Sequence, residues 1–310
     1  MRPCVLETIE IPTGDGFAVR GDLYTRPGEK RPGIIVLCHG FKGYRTWGFF
    51  PYVAGRLVEA GFTALAIDFS FNGTYSAEWP HTARPPAEDR FIPFGPTTPP
   101  PHIRPDLFRR NTIQREIADL IVILRAIARD GIEGRIERGA PVGLFGHSRG
   151  AVVATLVARE NDSVGALCTW SCPVHPDHFT AAQKARWRKN GEYGFTDSRD
   201  GTRLALSTDY LDDLEANRDA FDLLRRVVDL RIPHLIIHGE ADLAVGAGDA
   251  RALHGAERLL TDKRLLVIRT GHTFGVTDDM EIFPKRTPRA LVEASDTTVE
   301  WFTRCLEKGH

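Results

Sequence analysis

Residues 143–151 read GLFGHSRGA, and this stretch decides the fold of the chain. The apolar run PVGLF leads into two glycines that bracket Ser148, and the apolar run AVVATLVA follows them. In a Gly-x-Ser-x-Gly turn between a strand and a helix, the glycines permit a strained backbone that raises the serine hydroxyl above the sheet. The pattern therefore predicts a strand, a sharp turn and a helix, with Ser148 as a nucleophile. A helix that simply begins at a capping Ser148 is the alternative.

A serine hydroxyl needs a general base, and the base needs a carboxylate that orients it. In this type of fold the acid follows the serine in the chain and the histidine follows the acid. Asp242 comes after the apolar run HLIIH, and His272 comes after RLLVIR, each on a loop that contains glycine. We therefore predict that His272 takes the proton from Ser148 and that Asp242 orients the His272 ring. Glu240 and Asp249 lie close enough in sequence to remain alternatives for the acid.

The stretch CHGFKGYR at 38–45 follows another buried-strand pattern and predicts the loop of an oxyanion hole. Such a hole uses two main-chain N–H groups, one from the residue after the nucleophile and one from this loop. The expected donors are Arg149 and Phe41. His39 is expected to hydrogen-bond locally and shape the loop. His147, beside the nucleophile, lacks the strand-end placement expected of the base.

The rest of the chain alternates strand and helix patterns. Six apolar runs are typical of buried strands, at 33–40, 62–69, 141–146, 164–170, 234–239 and 264–269. Helical patterns occupy 49–60, 113–130, 149–160, 248–260 and 288–306, and two alternating segments at 5–11 and 17–24 predict a hairpin. Repeated strand–helix units predict an α/β fold with a mostly parallel central sheet flanked by helices. Ligands bind such sheets at the carboxyl ends of the strands, where the motifs above fall.

The helix at 113–130 has the clearest apolar stripe in the sequence. Asn111 and Gln114 have the spacing of a capping box at its start, and Gly131 is expected to end it.

Two segments differ from the α/β pattern in composition. Residues 80–105 are crowded with proline and predict a long surface excursion, because proline supports neither a helix interior nor a central strand. Residues 173–230 are polar and charged with helical patches, and they predict an inserted cap or lid. The segments 1–172 and 231–310 would then form the core.

Bulk composition excludes several classes of function. The chain of 310 residues has a net charge of −1, which favours neither nucleic acid nor an anionic membrane as a partner. Its first residues lack the apolar core of a signal peptide, and no stretch reaches the roughly 18 apolar residues of a membrane span. Five scattered cysteines predict buried thiols and no metal site. We therefore expect a cytoplasmic protein without metal, and the absence of Walker spacing predicts no nucleotide cofactor.

The motifs HGFKG, GHSRG, HGEAD and GHTFG together resemble the α/β-hydrolase superfamily, over about residues 15–305. Within it the sequence is similar to the dienelactone-hydrolase-like and serine-aminopeptidase-like esterases. This resemblance implies the α/β-hydrolase fold, a Ser-Asp-His triad and a helical cap at the insertion. Dienelactone hydrolases carry a cysteine nucleophile, whereas Ser148 stands here and favours ordinary ester hydrolysis. The proline-rich excursion is also longer than this group leads us to expect.

These observations predict a serine carboxylesterase that acts on a small-molecule ester and possesses no cofactor. Trp170, Phe71 and Trp79 are candidates for the substrate pocket, although large aromatic residues near strand ends equally often fill the core. A peptidase or amidase with the same triad is the runner-up, and a catalytically silent binding protein on this scaffold is the third alternative. A homodimer is compatible with the sequence.

Overall fold

The computed structural model describes residues 5–26, 33–75, 102–196, 201–277 and 287–306. Its strands are β1 (Val5–Pro12), β2 (Ala18–Thr25), β3 (Ile34–Cys38), β4 (Thr63–Asp68), β5 (Thr74–Tyr75), β6 (His102–Ile103), β7 (Val142–His147), β8 (Val164–Trp170), β9 (Glu192–Thr196), β10 (Arg203–Ser207), β11 (His234–Gly239) and β12 (Lys263–Ile268). Its helices are α1 (Phe50–Glu59), α2 (Pro105–Arg109), α3 (Ile113–Gly134), α4 (Arg149–Arg159), α5 (Ala181–Asn190), α6 (Thr208–Ala216), α7 (Leu223–Arg226), α8 (Ala247–Ala256) and α9 (Arg289–Leu306).

Eight strands form the main sheet, in the order β1-β2-β4-β3-β7-β8-β11-β12. The hairpin β1–β2 is antiparallel, and β2 also runs antiparallel to β4. The remaining neighbours in this sheet pair in parallel. The predicted α/β fold with a mostly parallel sheet is therefore confirmed.

The sheet is buried on both faces, as its unbroken apolar strands require. Along β3, Ile34 and Val36 belong to the apolar layer that contains α3 and α4, whereas Ile35 and Leu37 belong to the layer that contains α1 and α9. This alternation follows from the two-residue period of a strand. Packing on both faces therefore holds the strand ends between two layers of helices.

Helix α3 differs from its prediction at the start and agrees with it at the end. The cap is Thr112, whose hydroxyl accepts the Arg115 N–H at 3.0 Å, whereas the Asn111 side chain donates to Glu116. Gly131 has φ 64°, and a Cβ there would lie 2.0 Å from the Ile136 carbonyl oxygen, so only glycine fits where the regular helix stops.

The inserted segment at 173–230 contains α5, the β9–β10 hairpin, α6 and α7. The hairpin was not expected from the sequence, which showed only helical patches there. Trp187 is fully buried in this segment and donates its indole N–H to the Leu206 carbonyl at 3.1 Å. Asp213 of α6 accepts the main-chain N–H of Ile113 at 2.8 Å, which ties the insertion to the start of α3.

The proline-rich excursion predicted at 80–105 lies outside the described residues up to residue 101. Its last residues include β6 and the first residue of α2. In the described part of the chain, no helix combines the length and apolar character needed to cross a bilayer.

Candidate active site

Ser148 occupies a strained turn between β7 and α4. Its φ of 54° and ψ of −123° lie where L-residues are rarely found. Its side chain is partly exposed, whereas its main-chain N–H donates to the Trp170 carbonyl of β8 at 2.9 Å. The turn therefore presents the hydroxyl at the carboxyl edge of the sheet.

The two flanking glycines are required by close backbone contacts. A Cβ at Gly146 would lie 2.5 Å from Cα of Ala151, and one at Gly150 would lie 2.3 Å from the carbonyl oxygens of both Cys38 and His39. These distances are far inside van der Waals contact, so any side chain would force the backbone apart. The turn can form only because both positions are glycine.

Backbone strain concentrates at this edge of the sheet. Six non-glycine residues in the described ranges have positive φ, and four of them follow the carboxyl ends of β3, β7, β8 and β12, namely Lys42, Ser148, Ser171 and Phe274. Such strain persists only where surrounding structure imposes it, and it clusters at functional sites.

Asp242 and His272 form a hydrogen-bonded pair on the loops after β11 and β12. His272 Nδ1 lies 2.7 Å from Asp242 Oδ2, and the Asp242 carboxylate is fully buried. Its other oxygen accepts the main-chain N–H groups of Ala244 and Val245, each at 2.9 Å. Because the carboxylate accepts from Nδ1, a neutral His272 ring carries its proton on that nitrogen, and the lone pair of Nε2 is left free of a proton.

The Asp242 carboxyl is held in its ionised form. Burial alone would raise its pKa, but the hydrogen bonds from His272 and from the Val245 N–H outweigh burial and lower this pKa to about 2. Of the alternative acids, Glu240 is exposed, and Asp249 lies in the first turn of α8 and accepts the Val174 N–H at 3.1 Å. Asp242 is thus the carboxylate that contacts the imidazole.

The loop after β3 is shaped by a buried side-chain network that centres on His39. His39 Nε2 accepts the Phe69 N–H at 3.3 Å and the Asn72 side-chain N–H at 3.1 Å, so Nδ1 carries the proton and donates to the Gly40 carbonyl at 2.8 Å. Asn72 also donates to the Gly43 carbonyl at 3.0 Å. His39 therefore has the local role expected from the sequence, whereas the sequence analysis did not single out Asn72.

Two main-chain N–H groups next to the turn at Ser148 have no hydrogen-bond acceptor in the described part of the chain. A Cβ on Gly40 would lie 3.0 Å from Ser148 Cβ, which shows how closely the loop after β3 packs against Ser148. Within the described ranges, the N–H groups of Phe41 and Arg149 donate to no main-chain or side-chain acceptor. Both remain available for a ligand oxygen.

His147, which the sequence analysis set aside as a base, contacts the loop that carries His272. Its buried ring lies 4.7 Å from the His272 ring, measured between centroids, and its Nε2–H donates to the His272 main-chain carbonyl at 3.0 Å. Burial, followed by the neighbouring His272, lowers the pKa of His147 to about 3, so the ring is neutral at ordinary pH. The only sequence signal was its position beside Ser148.

The predicted proton transfer from Ser148 to His272 requires a contact that this structure does not contain. In the ranges described, the Ser148 hydroxyl makes no hydrogen bond with the His272 ring. Catalytic hydrogen bonds are often long in free enzymes and tighten when substrate binds. The contact between these two side chains stays a prediction.

Two of the residues predicted to line a substrate pocket, Trp170 and Phe71, are buried, and that role stays a prediction for them. Trp170 is fully buried, and its indole N–H donates to the Thr298 hydroxyl of α9 at 3.1 Å. Phe71 packs edge-on against Phe17, and the guanidinium carbon of Arg115 lies 4.2 Å from its ring centroid. These are the contacts of packed residues. Trp79 lies outside the described residues.

No metal site was predicted for this chain. Among the residues that the structure describes, no group of three or more His, Cys, Asp or Glu side chains is arranged to hold a metal ion.

Residues 35–287 match the model of the alpha/beta hydrolase family. No curated protein matches the chain. Several solved structures share its fold at low sequence identity. The esterase domain of a Rhodothermus marinus protein superposes with a TM-score of 0.60 at 16% identity, with 97% of this chain and 99% of that one covered.

Two further solved structures extend this likeness. The dienelactone hydrolase from Anabaena variabilis gives a TM-score of 0.56 at 19% identity, covering 97% of this chain and 98% of its own. An esterase from Pyrococcus furiosus gives 0.60 at 17% identity, covering 98% and 94% respectively. At these identities the likeness shows the fold alone.

Proposed function

This chain belongs to the alpha/beta hydrolase family, and we propose from that premise that it is a serine hydrolase that cleaves carboxylic esters. The proposed catalytic residues are Ser148, His272 and Asp242, with the N–H groups of Phe41 and Arg149 as the oxyanion hole. The observation that carries the proposal is the Asp242–His272 hydrogen bond, which fixes the tautomer with a basic Nε2 on the same sheet edge as the strained Ser148.

Acylation begins when the Ser148 Oγ attacks the ester carbonyl carbon. The hydroxyl proton passes to His272 Nε2, and the ionised Asp242 stabilises the resulting imidazolium. The carbonyl oxygen becomes an oxyanion that the two N–H groups stabilise, a contribution of about 100- to 1000-fold in rate for each donor. When the tetrahedral intermediate collapses, His272 returns the proton to the leaving alkoxide, which departs as an alcohol.

Deacylation repeats these steps with water as the nucleophile. His272 removes a proton from water, the hydroxide attacks the acyl-enzyme, and the oxyanion occupies the same N–H groups. Collapse of this second intermediate breaks the bond to Ser148, whose oxygen recovers its proton from His272. A carboxylic acid leaves, and the enzyme returns to its starting state.

We also propose that the segment at 173–230 acts as a cap over this site. Phe195 of β9 packs edge-on against Phe41, with 4.9 Å between ring centroids. Tyr210 of α6 lies 6.0 Å from the guanidinium carbon of Arg149, measured to its ring centroid. These contacts favour binding of the acyl or alcohol group beneath the insertion.

A fluorophosphonate probe and a substrate panel test the proposal. We expect the probe to label the wild-type protein covalently and to leave Ser148→Ala unlabelled. We expect p-nitrophenyl esters to turn over faster than aminoacyl p-nitroanilides. Faster hydrolysis of the anilides would establish the amidase alternative, and an unlabelled, inactive wild type would establish the silent one.

A further inference from the structure

The two residues proposed to donate to the oxyanion also contact each other through their side chains. The guanidinium carbon of Arg149 lies 4.6 Å from the centroid of the Phe41 ring, within the range of a cation–π contact. Phe41 belongs to the loop after β3, whereas Arg149 begins α4. The contact therefore bridges the two separate backbone segments that form the hole.

A buried ion pair holds the Arg149 side chain in place. Its Nη2 pairs with Oε1 of Glu116 on α3, and the two side chains are only 8% and 1% exposed. Glu116 Oε1 also accepts the Asn111 side-chain N–H at 2.8 Å, which holds the carboxylate in place. Buried ion pairs contribute little net stability compared with apolar residues of the same volume, whereas their geometry is highly specific.

The Phe41 ring is fixed on its other sides by aromatic residues. Phe108 of α2 lies 5.5 Å away and Phe195 of β9 lies 4.9 Å away, measured between ring centroids. The ring is thus enclosed by the guanidinium, by α2 and by the hairpin of the inserted segment. These three contacts restrict the positions open to the half-buried ring.

We propose that Glu116, the Arg149 guanidinium and the Phe41 ring form a positioning clamp that holds the two oxyanion N–H groups at a fixed separation. The inference rests on the proposed function, because it assigns a role to the same two N–H groups. An oxyanion hole accelerates the reaction through dipoles that are already aligned before the charge develops. A displacement of about 1 Å in such a site can lower the rate by about 100-fold.

The first test replaces the ring of Phe41. In Phe41→Leu the apolar volume is largely kept and the cation–π contact is lost, so we expect kcat to fall by about 10- to 100-fold. KM for a p-nitrophenyl ester should change much less, since the substrate's neutral carbonyl depends little on the hole. Phe41→Tyr restores an aromatic ring and should recover most of the lost kcat.

A transition-state analogue separates positioning from simple stability. A trifluoromethyl ketone forms a tetrahedral oxyanion adduct on a nucleophilic serine, and its inhibition constant should rise in Phe41→Leu by the same factor by which kcat/KM falls. If Phe41 only stabilised the fold, Phe41→Leu would lower the melting temperature. It would leave kcat/KM and the inhibition constant unchanged well below that temperature. An unchanged kcat/KM and an unchanged inhibition constant in a folded Phe41→Leu would overturn the clamp.

A double variant tests the ion pair itself, because removal of Glu116 or Arg149 alone would leave an unpaired buried charge that destabilises the fold. Glu116→Leu combined with Arg149→Met removes both charges together and leaves no unpaired buried ion. We expect a folded protein with the same loss in kcat and in analogue affinity as Phe41→Leu. Wild-type values in this double variant would also overturn the clamp.

The outcomes for the clamp and for the proposed function are distinguishable. Failure of the proposed function appears in the wild type, as absent labelling of Ser148 and absent ester hydrolysis. Failure of the clamp appears only in the variants, as full kcat and full analogue affinity in a protein whose wild type is active.

Discussion

The Nε2–H of His147 donates a hydrogen bond to the main-chain carbonyl of His272 at 3.0 Å. The residue before the proposed nucleophile thus holds the loop of the proposed base, which lies 125 residues away in the chain. The ring of His147 also packs edge-on against Phe49 at 5.0 Å between centroids, so its orientation is fixed. This contact links the strand β7 to the loop after β12 across two intervening strands.

Removing the His147 donor should lower catalytic efficiency through the position of His272. We expect His147→Leu, which fills the site without an N–H, to lose about 10- to 100-fold in kcat/KM, since small displacements of a catalytic group are costly. His147→Gln keeps a donor in reach of the carbonyl and should lose markedly less. Steady-state kinetics with a p-nitrophenyl ester measure both, and equal losses in the two variants would contradict a role for the hydrogen bond.

His147 should also make the fold sensitive to acid. Its native pKa of about 3 lies below the value of about 6.5 expected in the unfolded chain, so between these values the unfolded state binds a proton that the native state does not. Stability should therefore fall as the pH drops from about 6.5 toward 3, by about 2 kcal/mol at pH 5. Besides His272, the titratable groups that act on this ring are Asp242 and His238.

Urea unfolding at pH 7 and pH 5 measures this effect. Other groups titrate in the same range, including Asp119, whose pKa burial raises to about 6, so the comparison is made against His147→Gln. The variant lacks the His147 titration and should lose about 2 kcal/mol less than the wild type between the two pH values. The same acid dependence in both proteins would show that His147 does not supply it.

The sequence predicted those features that depend on local pattern. Strand β7, the turn at Ser148 and helix α4 follow from two glycines and two apolar runs within about eighteen residues. Asp242 and His272 were each placed at a strand end, and because parallel strands end at one edge, that placement was enough to bring them together. The end of the regular part of α3 at Gly131 was likewise visible, because glycine is the residue that most readily adopts the φ of 64° found there.

Features that depend on contacts between distant segments were not visible. Whether a buried histidine such as His147 packs passively or holds another loop is decided by the partner that the fold brings to it. Asn72 reaches His39 across a 33-residue separation, and no local motif marks that pairing. The cap of α3 was misplaced by one residue, since both Asn111 and Thr112 are favourable caps and only the tertiary contact of Asn111 with Glu116 decides between them.

The turn at Ser148 should tolerate no side chain at Gly150. A Cβ there would lie 2.3 Å from two main-chain carbonyl oxygens, so Gly150→Ala should either fail to fold or lose more than about 3 kcal/mol, as expected for overpacking against a rigid backbone. Gly55→Ala in α1 is the matched control, because nothing lies within 4 Å of its Cβ. That variant should gain about 0.5–1 kcal/mol from the better helix propensity of alanine. Thermal unfolding compares them, and a stable Gly150→Ala would contradict the close packing of α4 on the loop after β3.

Asp242 should be the carboxylate that sets the tautomer of His272. Its pKa of about 2 keeps it ionised throughout the range in which an esterase is assayed. In Asp242→Asn the amide N–H₂ can donate to His272 Nδ1, which moves the ring proton to Nε2 and abolishes the base. We therefore expect kcat to fall by about 1000- to 10,000-fold with little change in KM.

Glu240 gives the matched control for this change, because it lies two residues from Asp242 and is exposed. Glu240→Gln removes the same charge from the same loop and leaves the Asp242–His272 hydrogen bond intact, so we expect kcat within about twofold of the wild type. The comparison also separates the orienting role from the bulk charge of the loop, since both variants change the net charge by one. A larger loss in Glu240→Gln than in Asp242→Asn would transfer the role of the acid to Glu240.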